Sequence, residues 1–248
     1  MSLLNTLLAE ESRALAGHDY LEYHRQRFDY VVKKCRELCP ERRAEVLDIG
    51  RSHLSGMLLE VYGSVTTMGL PLSESEQFGH EAGLEASDGM SYAGHIVFDL
   101  NDAQRIEQID TRDKFDLIVF AETIEHLYTA PELVLGLLAT LLAPGGMIIC
   151  QTPNASALPR RMMMLRGRNP YELLRINAGN RGHIREYTRD ELVKIGRRAG
   201  LTTVSHEYRD YFGVQGGAAK KFAVKAVAAL FPTLARGQTI VYKRAEDA

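Results

Sequence analysis

An apolar run that leads directly into acidic and imidazole side chains most constrains how this chain can fold. Residues 115–121 read FDLIVFA, and Glu122, Glu125 and His126 follow immediately. A continuous apolar run of this length indicates a strand that is buried on both faces of a parallel sheet. Open α/β sheets bind their ligands beyond the carboxyl ends of such strands. We therefore expect a functional site directly after this strand.

Short apolar runs alternate with helical patterns along the chain, and this alternation favours a largely parallel sheet with helices on its faces. The predicted strands are residues 45–49, 64–68, 95–98, 117–120, 147–151, 201–208 and 238–243. The predicted helices are residues 3–15, 20–38, 53–62, a short one around Ala103, 131–142, 189–199 and 218–230. We therefore predict an α/β fold.

Length and composition fit one domain with additions. The chain has 248 residues, 45% of them hydrophobic, which is enough for one substantial core. We expect residues 1–43 to form an N-terminal helical extension or cap, and residues 44–248 to form the main domain. Residues 154–182 are irregular in pattern and contain six arginines against one acid. We expect a basic lid there, with the methionines at 162–164 packed against the domain, and an adaptable apolar floor for a substrate is the alternative.

Charge and cysteine usage narrow the partners and the location. The net charge of −2 disfavours a surface built to bind nucleic acid. Cys35, Cys39 and Cys150 favour reduced core thiols over a disulfide framework or a zinc site. The amino terminus lacks a signal-peptide pattern, and no apolar run approaches the roughly 20 residues of a membrane span. We expect a cytoplasmic protein without a transmembrane segment.

A basic, alanine-rich helical pattern near the carboxyl terminus bears on assembly. It carries Lys220, Lys221 and Lys225 on an otherwise apolar segment. Such a helix is typical of an ordinary docking or homodimer contact, and peripheral contact with an anionic membrane surface is the alternative.

Short polar motifs follow the predicted strands in a specific order. The first strand ends in VLDIG, residues 46–50, and Asp99 follows the third strand. Asp116 opens the fourth strand, Pro-Gly-Gly at 144–146 precedes the fifth, and Gln-Thr-Pro-Asn at 151–154 follows it. In this order and spacing the chain resembles the class I S-adenosylmethionine-dependent methyltransferases from about residue 46 to residue 243. A dinucleotide-binding dehydrogenase is disfavoured, because no G-x-G-x-x-G with a later acid is present.

The resemblance implies a Rossmann-like sheet of seven mostly parallel strands with a reversed final hairpin and helices on both faces. It also implies that S-adenosylmethionine is bound by Asp48, Gly50, Arg51, Ser52, Asp99, Leu100, Ala121 and Glu122. Two features depart from the family pattern. The glycine-rich loop reads GRSHLSG at 50–56, and the second strand ends without the usual ribose-binding acid. Glu74 or Glu76 is the expected replacement for that acid.

The pattern E-x-x-E-H at 122–126, with His183 further on, is similar to metal-dependent methyltransferases. These include small-RNA 2′-O-methyltransferases and, more loosely, ubiquinone O-methyltransferases. The similarity implies that Glu122, Glu125, His126 and His183 bind one divalent cation, either magnesium, manganese or zinc. If the segment turns helically, the first three side chains share one face. The alternative is catalysis without a metal, in which His126 acts as general base beside Glu125.

Together these features predict an S-adenosylmethionine-dependent O-methyltransferase. The expected acceptor is a hydroxyl of a small molecule, either a sugar of a glycan or nucleotide conjugate or a natural-product diol. The arginines of the lid would meet an anionic group on it. Two alternatives stay open: an RNA 2′-O-methyltransferase, and a noncatalytic interaction protein that keeps the fold. At the amino terminus, Tyr20, Tyr23, His24 and Arg27 form either a plain amphipathic face or a cover over the cofactor.

Overall fold

The computed structural model describes residues 20–71, 91–105, 109, 113–175, 181–211 and 230–245. The helix predicted at 3–15, nearly all of the helix predicted at 218–230, and the candidate ribose ligands Glu74 and Glu76 lie outside the described residues.

A seven-stranded sheet forms the centre of the fold. Its strands are β1 (Val46–Ile49), β2 (Ser64–Gly69), β3 (Ser91–Val97), β4 (Phe115–Ala121), β5 (Leu142–Pro153), β6 (Leu201–Arg209) and β7 (Gly237–Arg244). The order across the sheet is β3-β2-β1-β4-β5-β7-β6. The first five strands are parallel, whereas β7 pairs antiparallel with both β5 and β6. The predicted α/β fold, with seven mostly parallel strands and a reversed final hairpin, is confirmed.

Five α-helices connect and cover these strands in the described part of the chain. They are α1 (Tyr20–Leu38), α2 (His53–Tyr62), α3 (Pro131–Leu141), α4 (Leu158–Leu165) and α5 (Arg189–Arg198). Single 3₁₀ turns occur at Leu100–Asp102, Ile124–His126 and Pro232–Leu234, so the helix predicted around Ala103 is only one such turn. None of the described helices combines the length and apolarity needed to cross a membrane.

Helix α4 contradicts the expectation of an irregular stretch at 154–182. Its first turn contains Pro159, which is well tolerated there because the missing amide hydrogen would have no helical partner. The methionines, arginine and leucine that follow are good helix formers. None of the helix's residues is buried, and Met164 is 62% exposed. The expectation that the three methionines pack against the domain is therefore wrong.

Helix α1 packs its buried side chains against the sheet. Phe28, Val31 and Cys35 lie in one buried cluster with side chains of β1, β4, β5 and β7. At its outer side, Lys34 donates a hydrogen bond to Glu207 on β6 at 2.5 Å, and the Tyr30 hydroxyl donates to the same carboxylate at 3.1 Å. A helix early in the chain is thus fastened to the last hairpin of the sheet.

Candidate active site

The carboxyl ends of β1, β4 and β5 meet at one edge of the sheet, and buried polar side chains collect there. Buried polar atoms in proteins nearly always find a hydrogen-bond partner, so unpaired ones mark places where a ligand can bind. Within the described residues, the unpaired buried atoms near this edge are Arg27 Nε, Arg51 Nε, the Tyr92 hydroxyl, Glu125 Oε1, and both amide atoms of Gln151. The edge therefore offers polar atoms that the described residues leave without hydrogen-bond partners, as a ligand-binding site would.

The turn after β1 brings bare backbone to this edge. Gly50 has φ +83°, a conformation that side chains other than glycine rarely adopt, and a Cβ placed there would meet no atom within 4 Å. Its amide donates to the Met68 carbonyl at 2.7 Å, which ties the turn to β2. The open space above Gly50 suits a ligand that approaches the backbone closely.

Asp48 is held by the first turn of α2. Ser52 caps that helix, and its own amide donates to Ser55 Oγ at 2.9 Å. Ser55 Oγ in turn donates to Asp48 Oδ2 at 2.6 Å. Burial raises the pKa of Asp48 to about 7, although the Ser55 hydrogen bond and the nearby Arg27 guanidinium both act to lower it. A cationic group bound beside this carboxylate would stabilise its ionised form.

Arg27 supplies positive charge to this edge from α1. Its side chain is only 4% exposed, and its charge acts to lower the pKa values of Asp48, Glu122 and Glu125. The sequence left open whether Arg27 lies on a plain amphipathic face, and its burial excludes that interpretation. The helical pattern could not reveal its position, because the three acids lie far from it in sequence.

A second part of the edge lies between the turn after β1 and strand β3. The Arg51 guanidinium stacks over the Tyr92 ring, with its central carbon 3.9 Å from the ring centroid. Asp99 accepts two hydrogen bonds from Asn101 through Oδ1, which leaves Oδ2 for other partners. Leu100, the next residue, is buried. Tyr92, the second residue of β3, was not expected from the sequence, because the strand was predicted to begin only at residue 95 and no motif includes Tyr92.

The end of β2 carries no acid, as expected from the sequence. His95 of β3 lies beside it instead, between the Thr67 hydroxyl at 2.8 Å and the Leu70 carbonyl at 2.9 Å. Since the carbonyl can only accept, we assign the proton to His95 Nε2, and Nδ1 then accepts from Thr67. Both ring nitrogens are engaged in holding β2 and β3 together.

Glu122 follows Ala121 at the end of β4 in an unusual backbone conformation. Its φ is +51°, the only positive value at a described residue other than glycine, and such conformations concentrate at functional sites. Its amide donates to the Gln151 carbonyl at 2.8 Å. Withdrawal from water raises the pKa of Glu122. Burial, followed by the nearby charge of Glu122, raises the pKa of Glu125 well above its usual range.

Two imidazoles stand beside this carboxylate pair. The rings of His126 and His183 meet edge to face, with centroids 4.8 Å apart. His126 Nδ1 lies 2.9 Å from the Gly182 carbonyl, and His183 Nδ1 lies 2.8 Å from Glu186 Oε1. Both partners only accept, so we assign the protons to Nδ1, which leaves each Nε2 with a lone pair. Burial and the neighbouring His183 lower the pKa of His126 to about 4.

Glu125, His126 and His183 are brought together by the structure: their side-chain ligand atoms lie within 4.8 Å of one another. Glu122 is not in this group, because the chain makes only one 3₁₀ turn, at Ile124–His126, and Glu122 precedes it. The helical face that Glu122, Glu125 and His126 were expected to share therefore does not form. Within the described part of the chain Glu125 Oε1 has no hydrogen-bond partner, while Oε2 accepts from Thr152 at 2.9 Å. One free carboxylate oxygen and two imidazole lone pairs fit the donor set of a divalent cation.

Glu186 orients this cluster, although no sequence motif had pointed to it. Its buried carboxylate contacts His183 and also pairs with Arg160 of α4. Its position three residues after His183 could have indicated that the two side chains contact each other. Among the other lid arginines, Arg175 pairs with Glu172 at 3.2 Å, and Arg181 lies over the Tyr128 ring at 5.4 Å. Much of the lid's positive charge is thus already engaged by the chain itself.

Comparison with known proteins agrees with this architecture. Residues 23–206 match the family described as methyltransferase domain. A stretch of 104 residues is 32% identical to the ubiquinone biosynthesis O-methyltransferase of Aeromonas salmonicida (strain A449). That match spans 42% of this chain and 40% of the relative, so it covers less than half of either protein.

Solved structures resemble the whole chain at low sequence identity, which bears on the fold alone. One is a structure of a methyltransferase in complex with the Trm112 methyltransferase activator from Haloferax volcanii, with TM-score 0.58, 15% identity, and 92% of both chains covered. Another is the Burkholderia thailandensis 1,6-didemethyltoxoflavin-N1-methyltransferase with bound 1,6-didemethyltoxoflavin and S-adenosylhomocysteine, with TM-score 0.56 and 15% identity. The match covers 98% of this chain and 89% of the Burkholderia thailandensis protein.

The family match covers well over half of the chain, and the strand order and the open glycine turn agree with it. The resemblance read from the sequence motifs is therefore confirmed, and the chain belongs to the methyltransferase domain family, among the class I S-adenosylmethionine-dependent methyltransferases.

Proposed function

We propose that this protein is an O-methyltransferase that transfers the methyl group of S-adenosylmethionine to a hydroxyl of a small molecule. The observation that carries the proposal is the group formed by Glu125, His126 and His183, which gathers two imidazole lone pairs and one free carboxylate oxygen. Such a group can remove a proton from a hydroxyl, or hold a cation that makes the proton easier to remove.

The cofactor would lie along the edge from the turn after β1 to the end of β4. When bound, S-adenosylmethionine supplies an electrophilic methyl group on a sulfonium. Asp48 and the bare backbone of Gly50 suit its ammonium group, and the buried Arg27 suits its carboxylate. Asp99 Oδ2 suits the adenine amine, with Leu100 against the ring. The unpaired Nε of Arg27 supports this assignment, since it has no hydrogen-bond partner among the residues that the structure describes.

The acceptor hydroxyl would be activated on the other side of the methyl group. His126 is neutral near pH 7, because its pKa is lowered to about 4, so Nε2 can receive the hydroxyl proton. His183, oriented by Glu186, stands beside it. The remaining task of the chain is alignment, since methyl transfer needs the acceptor oxygen in line with the donor.

A divalent cation, either magnesium, manganese or zinc, is the second part of the proposal. Glu125, His126 and His183 would hold it, with Glu122 close by. The cation would supply Lewis acidity that lowers the pKa of the acceptor hydroxyl. The hydrogen bonds from Nδ1 of His183 to Glu186 and from Nδ1 of His126 to the Gly182 carbonyl support a metal site. Nearly all histidine ligands of metals make a hydrogen bond of this kind through the other ring nitrogen.

The acceptor class follows from the same arrangement. The expected acceptor carries a hydroxyl beside a second oxygen, as in a sugar of a glycan or nucleotide conjugate or in a natural-product diol. Both oxygens could then contact the group formed by Glu125, His126 and His183. The Aeromonas salmonicida relative is named an O-methyltransferase, which supports oxygen as the acceptor atom. The proposal also includes a cytoplasmic location and a basic lid formed by residues 154–182.

The test is methyl transfer from labelled S-adenosylmethionine to a panel of catechols, sugar nucleotides and amines, with S-adenosylhomocysteine as the product measured. We expect transfer to hydroxylated acceptors, its loss in His126→Ala, and its retention in His206→Ala, a histidine on β6 outside the site. Exhaustive chelation should abolish transfer if a cation takes part, and activity that survives chelation would leave His126 as the base. Absence of S-adenosylhomocysteine binding in calorimetry would instead support a noncatalytic interaction protein.

A further inference from the structure

The surface of α4 and the segment after it exposes many large apolar side chains. Leu165 is 81% exposed and Leu173 is 88% exposed, which is close to the exposure of a free side chain. The others in the same segment are Met162, Met163, Met164, Tyr171 and Leu174. Exposed leucines scattered singly are ordinary, but a cluster of this kind marks an interaction surface. We call residues 158–174 the α4 surface.

The α4 surface is also basic. No acid occurs between Asn154 and Tyr171, and the first one, Glu172, is engaged by Arg175 and by the His183 amide. Among the described residues, Arg161, Arg166 and Arg168 make no ion pair. Arg161 directs its Nε to the Ser156 carbonyl and keeps its charge. Exposed leucines beside unneutralised guanidinium groups complement an anionic lipid bilayer, which offers an apolar interior beneath negative headgroups.

A second exposed apolar pair lies near the carboxyl end of β5. Leu230 is 74% exposed and Phe231 is 59% exposed. The segment that follows them is fastened to Asn154, whose side-chain amide donates to the carbonyls of Thr233 and Ala235 at 2.9 and 2.8 Å. Helix α4 begins just after Asn154, so both apolar segments leave one junction at the carboxyl end of β5.

We propose that the α4 surface, together with Leu230 and Phe231, docks on an anionic lipid bilayer. The junction at Asn154 adjoins Gln151 and Thr152, which line the candidate active site, and Arg160 of α4 pairs with the Glu186 that orients His183. Docking would therefore turn this edge of the sheet toward the lipid. The proposal concerns binding alone and does not depend on methyl transfer.

The test is co-sedimentation of the full chain with phosphatidylcholine vesicles, with and without added phosphatidylglycerol. We expect binding only to the vesicles with phosphatidylglycerol, and release by added salt. Leu165→Ser and Leu173→Ser should each weaken binding by about tenfold, because each would remove a leucine side chain from the lipid. Arg166→Gln and Arg168→Gln should each weaken it by about fivefold. All four side chains are exposed, and thermal unfolding of each variant would verify that it is folded.

Two matched variants serve as controls away from the α4 surface. Val204→Thr alters an exposed apolar side chain on β6, and Arg197→Gln removes an exposed arginine on α5. Both should bind vesicles as the parent does. Failure of the parent to bind, or equal loss in the controls, would overturn the proposal. The proposal would also be overturned if the parent formed a dimer without lipid and the Leu165 and Leu173 variants abolished that dimer. It would be overturned as well if the arginine variants lost binding to RNA but kept their binding to vesicles. Calorimetry with S-adenosylhomocysteine on the same variants keeps this result separate from the proposed function.

Discussion

Replacing Asp48 by Asn should change how stability depends on pH. The carboxyl group is fully buried, and burial raises its pKa to about 7, whereas a carboxyl of this type titrates near 3.9 in an unfolded chain. Between these values the folded protein keeps a proton that the unfolded chain has released. The free energy of unfolding therefore falls as pH rises through this window, and the fall ends above about pH 7.

The size of this effect follows from the pKa difference. Each pH unit inside the window costs about 1.4 kcal/mol of stability. From about pH 5 to about pH 7 the parent should lose roughly 2 kcal/mol through Asp48 alone, because the carboxyl group is already half ionised at the upper value. Asp48→Asn has no such titration and keeps an oxygen that can accept from Ser55. The stability of the variant relative to the parent should thus rise by about 3 kcal/mol between about pH 5 and about pH 8.

Urea unfolding followed by far-ultraviolet circular dichroism, at both pH values and for both proteins, measures this difference. Titration of Glu122 and Glu125 affects both proteins and cancels in the comparison. Ser55→Ala is the matched control: it keeps the carboxyl but removes a hydrogen bond that lowers its pKa, so its pH window should extend upward. Stability profiles of parent and Asp48→Asn that run parallel over this range would refute the reasoning.

Three further changes test other parts of the site. Arg27→Gln should weaken S-adenosylhomocysteine binding by roughly tenfold to a hundredfold in calorimetry, since a charged hydrogen bond is lost; affinity equal to the parent would remove Arg27 from the cofactor site. Gly50→Ala should lower the free energy of unfolding by about 1 kcal/mol, because φ +83° strains any side chain; unchanged thermal unfolding would contradict this. Glu186→Gln should lower kcat while leaving S-adenosylhomocysteine affinity intact, since Glu186 orients His183 and touches no expected cofactor group; a loss of affinity instead would point to a structural role.

The sheet could be predicted because its central strands β1, β4 and β5 contain mainly apolar runs, which alternate with helical patterns along the chain. The apolar run at 115–121 indicated a buried strand, predicted at 117–120, and β4 covers the whole run. The start of β3 was placed too late, at residue 95, because the Ser-Tyr-Ala-Gly that opens the strand has neither periodicity nor a continuous apolar run. Helix α4 was missed because it is only 8 residues long and buries no side chain, so no long repeat of core positions marks it in the sequence.

The candidate site could be predicted only where its residues are close in sequence or follow a strand. Glu125 and His126 follow β4, and His183 was found by its likeness to a pattern. The left-handed backbone of Glu122 was not predictable, since a glutamate gives no local signal for φ +51°. The burial of Arg27 depends on how α1 packs across the sheet, and the pairing of Glu186 with Arg160 depends on the position of α4. Such tertiary contacts override what local patterns indicate.

The attachment of α1 to β6 joins the two ends of the described fold. Lys34 and Tyr30 both bind Glu207, which lies 173 residues after Lys34. The same helix carries Arg27 to the cofactor edge. The complete set of contacts of α1 therefore needs residues that a ribosome adds late, since Glu207 lies on β6 and Val241 on β7. We expect a chain truncated before β6 to lose these contacts of α1, and with them part of what holds Arg27 in place, even with every residue of the glycine turn present.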